Sequence, residues 1–193
     1  MSTKERITIV GLGKSGCMIV NECSRVINHD WLHLIALDTD QKNIDLYDDN
    51  EQIYSVCIDK QWRAGKGCGG DVNNGTGAIS RYQKTLLPKL KESSVIIIVG
   101  GLGGGFATGG LQTLAAALLR SNIPTICFAT LPFVMEGQHR ILTAESGSNE
   151  LIKSADILLL LSNDLLFSAL PATTSLDDAF KTANREMADT QPS

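Results

Sequence analysis

Gly100–Gly110 reads GGLGGGFATGG, seven glycines in eleven residues, and the fold turns on this stretch. It follows Val95-Ile96-Ile97-Ile98-Val99, a β-branched apolar run with the makeup of a buried parallel strand. It leads into Leu111–Arg120, whose leucines and alanines predict a helix. Strand, glycine loop and helix together bring backbone N–H groups and a helix N-terminus to bear on an anion. Glycine admits positive φ and lets a ligand approach the backbone closely. Thr108 is placed to cap the helix and to offer its hydroxyl to a phosphate. The simpler reading is a tight turn, but a turn does not need this many glycines.

Working outward, two more stretches repeat the pattern. Ile7–Val10 predicts a short buried strand, followed by Gly11-Leu12-Gly13-Lys14-Ser15-Gly16 and a helix over Cys17–Ile27. This G-x-G-x-x-G is shared with the dinucleotide-binding fingerprint. It is not a Walker A loop, because the leading glycine would have to be Thr8. A second strand over Leu32–Leu37 ends in Asp38-Thr39-Asp40, where a dinucleotide-binding domain would hold a ribose. The polar segment 42–51 reads as a solvated loop, and Gln52–Ile58 as a further strand. Gly65-Lys66-Gly67-Cys68-Gly69-Gly70-Asp71 is the second glycine cluster, with a helix predicted over Ala78–Lys91 in which Pro88 marks a kink or an end. One such loop serves a pyrophosphate; three point to a triphosphate held mainly by backbone amides. Beyond the central loop, Thr125–Ala129 and Ile157–Leu161 predict strands, and Leu176–Ala188 a last helix.

Composition bounds the alternatives. The 193 residues fit one domain, and the net charge of −4 without a basic block argues against nucleic acid as a partner. No apolar run approaches a membrane span, so direct membrane insertion is not expected. Residues 1–6 hold three charges, unlike a secretory signal. Five cysteines, never spaced as C-x-x-C, read as reduced thiols of a cytoplasmic protein. His29 and His33 have metal-ligand spacing but no partner cluster in the sequence. Glu136 and Arg140, at i and i+4, fit either a surface ion pair or a pair facing a nucleotide.

Taken together, these stretches resemble the nucleotide-binding half of the FtsZ/tubulin superfamily, from Ile7 to about Ala188. The most specific parts are GGLGGGFATGG, TLPFVMEGQHR (Thr130–Arg140), and SNDLL followed by DAFKTAN (Asp178–Asn184). The resemblance implies an α/β fold, a doubly wound, Rossmann-like and mainly parallel sheet of about six strands, binding GTP or GDP, with Mg²⁺ a further candidate. It assigns Gly11, Gly13, Lys14, Gly67, Gly69, Gly70, Asp71, Gly103, Gly104, Gly105, Phe106, Ala107, Thr108 and Gly109 to the phosphate loops. Glu136 and Arg140 match a pair reaching ribose and phosphates, while Asn163, Phe180 and Asn184 match positions around guanine.

Several residues depart from the family's pattern. Phe106 and Ala107 stand where the central loop usually has a hydroxyl residue and a glycine, so they are expected to crowd it. On that reading, Phe106→Thr with Ala107→Gly tightens GTP binding. Asp71 replaces an asparagine near the terminal phosphate, Leu165 an arginine, and Met18 an asparagine. By resemblance, residues 1–193 form a single nucleotide-binding domain ending within the central helix. The family's second domain and catalytic loop would lie beyond it, leaving half of a split GTPase site. The expected partners are then guanine nucleotide and full-length FtsZ-like subunits, which the domain would cap. A dinucleotide-binding oxidoreductase domain using Asp38, and a nucleotide-free interaction module of the same fold, are the alternatives.

Overall fold

The computed structural model describes residues 6–168. Its strands are β1 (Ile7–Leu12), β2 (Leu32–Asp38), β3 (Ile53–Cys57), β4 (Val95–Gly101), β5 (Thr125–Leu131) and β6 (Ile157–Ser162). They form one parallel sheet in the order β3-β2-β1-β4-β5-β6. The helices are α1 (Gly13–Val26), α2 (Gln41–Ile44), α3 (Lys60–Arg63), α4 (Val72–Leu90), α5 (Gly105–Arg120), α6 (Gln138–Leu151) and α7 (Asn163–Ser168). The predicted α/β class and six parallel strands are those observed. The predicted helix over Leu176–Ala188, and the domain end within it, lie outside the described residues.

The central strands of the sheet are buried on both faces because they carry apolar side chains on both, while the edge strand β6 stays largely exposed. Val10, Leu12, Ile35, Leu37, Ile96 and Ile98 pack with Ile79 and Leu86 of α4 and Leu111, Leu114 and Leu118 of α5. Their neighbours Ile9, Leu34, Ala36 and Val99 point the other way, against Ile19, Val20 and Cys23 of α1. This period-two alternation explains why β4 opens as an unbroken hydrophobic run and why β1 is broken only by the buried Thr8 before Gly11.

From β1 the chain moves outward to β2 and β3, and from β4 outward to β5 and β6 on the other side. The strand order therefore reverses between β1 and β4, and connections leave their carboxyl ends in opposite directions. A crevice opens at such a point, and in open α/β sheets it is where ligands bind. Leu12 pairs with Gly100 in register, so the first and third glycine stretches flank that crevice.

The helices after all three glycine stretches begin earlier than the sequence predicts. α1 begins at Gly13 rather than Cys17, α4 at Val72 rather than Ala78, and α5 at Gly105 rather than Leu111. Helix propensity disfavours glycine, but here close backbone packing overrides it. A Cβ at Gly105 would sit 2.7 Å from both N and O of Asp71. One at Gly109 would meet the Val72 carbonyl oxygen and lie 2.6 Å from Thr76 N. One at Gly75 would meet the Gly105 carbonyl oxygen and lie 2.8 Å from Phe106 Cα. Much of the glycine content therefore serves the crossing of α4 and α5 rather than a flexible loop. Gly11 lies in β1 and serves a different close approach, that of α1, where a Cβ would strike the Gly16 carbonyl oxygen.

Segment 42–51 also differs from the expected solvated loop. α2 and a 3₁₀ turn over Asp45–Tyr47 bury Ile44 and Tyr47 against the α1 face of the sheet. Two apolar residues three apart in a polar run suffice to dock a single turn. Pro88 falls in the last turn of α4, which ends two residues later at Leu90.

Candidate functional site

At the carboxyl ends of β1, β2 and β4 lies a cavity of about 410 Å³. That is within the range of about 300–1,000 Å³ usual for small-molecule sites. α1 and α5 both start at its wall, with Gly13, Lys14 and Ser15 on one side and Gly104, Phe106 and Ala107 on the other. Gly67, Cys68 and Gly70 of the second glycine stretch complete it, together with Asp38-Thr39-Asp40, Asn43 and Arg140.

The two helix starts share a feature that decides the chemistry. α1, 14 residues long, has Leu12 at its N-cap, no side-chain cap and no acidic residue in its first turn. α5, 16 residues long, has Gly104 at its N-cap, again with no side-chain cap and no acid in the first turn. The first N–H groups of a helix have no partner within it, and its dipole places partial positive charge there. Two such ends opening on one cavity make a site for a polyanion. α4 behaves differently. The Asp71 carboxylate caps it, accepting a hydrogen bond from Asn73 N at 2.8 Å, so its positive end is met by its own sequence.

Thr108 does not cap α5. It is buried inside the helix, and its hydroxyl accepts a hydrogen bond from Gly103 N at 3.0 Å. That bond fixes the turn between β4 and α5, where Gly103 has φ +94°. Gly109, also buried, packs against α4. Phe106 and Ala107 touch the cavity with an edge but belong to the core, at 6% and 7% exposure. Ala107 is helical and carries no positive φ, so its Cβ meets no backbone strain there.

Glu136 and Arg140 form the ion pair that their spacing allows, at 2.6 Å. The other Glu136 oxygen accepts from Phe133 N at 2.8 Å, which ties the pair to the turn after β5. Arg140 is half exposed and lines the cavity, with its Nη2 3.7 Å from where a Gly104 Cβ would sit. The pair is the ion pair its spacing permits, and it holds the Arg140 cation over the start of α5. Asn163 is buried at the start of α7. Gly69, with φ +61° and open space where a Cβ would lie, is exposed on the second stretch. Phe180 and Asn184 lie outside the described residues.

Asp38 is held as a structural brace. It is 4% exposed, and Oδ1 accepts from Thr39 N at 2.6 Å and Asp40 N at 3.1 Å, while Oδ2 accepts from Asn43 Nδ2 at 2.8 Å. Burial raises its pKa, and the hydrogen bonds from Asn43, Asp40 and Thr39 oppose the rise. A carboxylate so engaged is poorly suited to grip a ribose, which weakens the dinucleotide reading. Asp38-Thr39-Asp40 enters the sequence reading only through that alternative and Asn43 not at all, yet any ligand at this strand end would meet all four. His33 is bonded through Nδ1 to Arg6 and His29 stacks on Trp31. Among the described residues no group of three or more His, Cys, Asp or Glu could hold a metal ion. No helix among them is long and apolar enough to cross a membrane.

Comparison with known proteins agrees with this geometry. Residues 6–171 match the Tubulin/FtsZ family, GTPase domain. Cell division protein FtsZ 1 of Pyrococcus furiosus is 32% identical over 181 residues, covering 94% of this chain and 47% of that protein. Cell division protein FtsZ of Rickettsia typhi is 30% identical over 186 residues, covering 94% and 39%. The chain spans about half the length of the curated relatives it matches or less. Among solved structures, the empty FtsZ dimer of M. jannaschii superposes with a TM-score of 0.86 at 28% identity, covering 96% of this chain and 52% of that one. The GTPγS-bound protofilament of CetZ2 from Haloferax volcanii shares the fold, with a TM-score of 0.83 at 24% identity over 95% and 56%. The chain belongs to the Tubulin/FtsZ family, and the part of it that carries the match is the family's GTPase domain.

Proposed function

We propose that the cavity between α1 and α5 binds a guanine nucleotide, with its phosphates on the two uncapped helix ends. The single observation that supports this most is that both helices open on the same cavity with neither a side-chain cap nor an acid in the first turn. Gly13 and Lys14 then face the phosphates from one side and Gly104 and Gly105 from the other, with Gly67–Gly70 closing over them. Arg140, steadied by Glu136, reaches ribose or phosphate. Asn163, Phe180 and Asn184 are proposed around the base, the asparagines pairing with guanine's polar edge. A buried polar edge left unpaired costs about 1–3 kcal/mol, which is how such a site rejects adenine. Mg²⁺, where it takes part, arrives on the phosphates. On the pattern of the FtsZ relatives, we place the protein in the cytoplasm as a subunit of a cell-division GTPase filament, whose water-positioning acid comes from a neighbouring subunit.

Titration calorimetry with GTP, GDP, ATP and NAD tests the proposal. Guanine nucleotides are expected to bind best. GDP should bind about as well as GTP, because Asp71 follows directly on the cavity-lining Gly70 and opposes a third phosphate. Equal or tighter binding of ATP or NAD would overturn it.

A further inference from the structure

Lys14 is in an unfavourable place for a lysine. It is the second residue of α1, at the positive end of the helix dipole, where a cation costs about 0.3–1 kcal/mol. No acid in that first turn offsets it. Among the described residues its ammonium has no ion-pair or hydrogen-bond partner, although it is exposed at the rim of the cavity. Arg140, the other cation of the lining, is neutralised by Glu136 at 2.6 Å. The carboxylates of the lining, Asp38 and Asp40, are at the end of β2 and engaged with their own turn, Asp40 accepting from Lys42 N at 3.0 Å. An uncapped helix end, its dipole and an unpaired ammonium therefore converge without a counter-anion from α1 itself.

We infer that Lys14 is a specificity-determining residue that supplies a fixed positive charge to the phosphate chain, so that nucleotide binds without a divalent cation. The inference rests on the proposal that this cavity takes a guanine nucleotide. A lysine serves phosphate as a compact point charge on a flexible stem, able to follow a two- or three-phosphate chain without fixed bidentate geometry.

The test measures affinities of guanosine, GDP and GTP for the unmutated protein, Lys14→Ala and Lys14→Arg, each in EDTA and in Mg²⁺. The unmutated protein is expected to bind GDP and GTP in EDTA nearly as well as in Mg²⁺. Lys14→Ala should lose about tenfold to a hundredfold for GDP and GTP, as for a charge-assisted hydrogen bond, and regain part of it with Mg²⁺. Guanosine, which has no phosphate, should bind both alike, and Lys14→Arg should keep most of the affinity. Equal GDP and GTP affinity of Lys14→Ala and the unmutated protein overturns the role of Lys14 while leaving the nucleotide site standing. An equal loss for guanosine also overturns it, because it would mark a distorted site rather than a missing charge. Failure of the unmutated protein to bind any of the three overturns the nucleotide site itself and the inference with it.

Discussion

Phe106→Thr, alone or with Ala107→Gly, is expected to destabilise the domain by about 3–4 kcal/mol instead of improving a ligand site. The resemblance read from the sequence implies tighter GTP binding instead, since it sets Phe106 at a hydroxyl position of the loop. The structure places Phe106 in the first turn of α5, 6% exposed, in the cluster with Leu12, Ile79 and Leu111. Its ring reaches Gly13 on one side and Gly110 on the other, with Cδ1 and Cε2 each 3.8 Å from where a Cβ at those glycines would lie. Truncating a buried Phe to alanine costs about 3–5 kcal/mol through lost burial and the cavity left behind. Threonine refills part of that volume but brings a hydroxyl that needs a partner in an apolar setting. Urea unfolding of the single and double variants would measure the loss. A change below about 1 kcal/mol, with tighter GTP binding, would restore the crowded-loop view.

Gly109→Ala is expected to destabilise by about 3 kcal/mol, although alanine is the better helix former by about 1 kcal/mol. The new Cβ would strike the Val72 carbonyl and Thr76 N of α4. Both are backbone atoms inside a helix, which cannot rotate aside as a side-chain tip would, so α4 and α5 must separate. Gly77→Ala, also in α4, is the control. The three atoms nearest its Cβ all belong to the Arg81 guanidinium, the first at 3.0 Å, and the change should be neutral or stabilising by up to about 1 kcal/mol. Paired denaturation curves would show whether glycine at 109 is required for packing. Equal behaviour of the two variants would show that it is not.

The sheet was legible because its strands are short, mostly apolar runs, rich in β-branched residues in β1 and β4, each closed by a glycine or polar cluster. The helix starts were not, because glycine is a poor helix former and only the facing helix explains its presence. Gly75, Gly105 and Gly109 become intelligible once α4 and α5 are seen to cross backbone to backbone. Thr108 was misplaced for the same reason: with α5 beginning at Gly105, it falls one turn too late to cap. For the candidate site, the sequence reading names Gly13, Lys14, Gly104 and Arg140, and the structure brings all four to the lining of one cavity. It had no signal that Asp71 caps its own helix, or that Asp38 is spent on Thr39, Asp40 and Asn43. Such local side-chain-to-backbone bonds depend on a turn's shape and leave little trace in residue type alone.

The central claim is that α1 and α5, and not α4, present free N-terminal amides to a phosphate chain. Backbone amide chemical shifts of the ¹⁵N-labelled protein, followed while GDP is added, test it most directly. The amides of Gly13, Lys14 and Ser15 and of Gly104, Gly105 and Phe106 are expected to shift most. Those of Val72 and Asn73, behind the Asp71 cap, should move far less. Saturable binding with the largest shifts at Val72 and Asn73, or with none at either of the two uncapped helix starts, would contradict it.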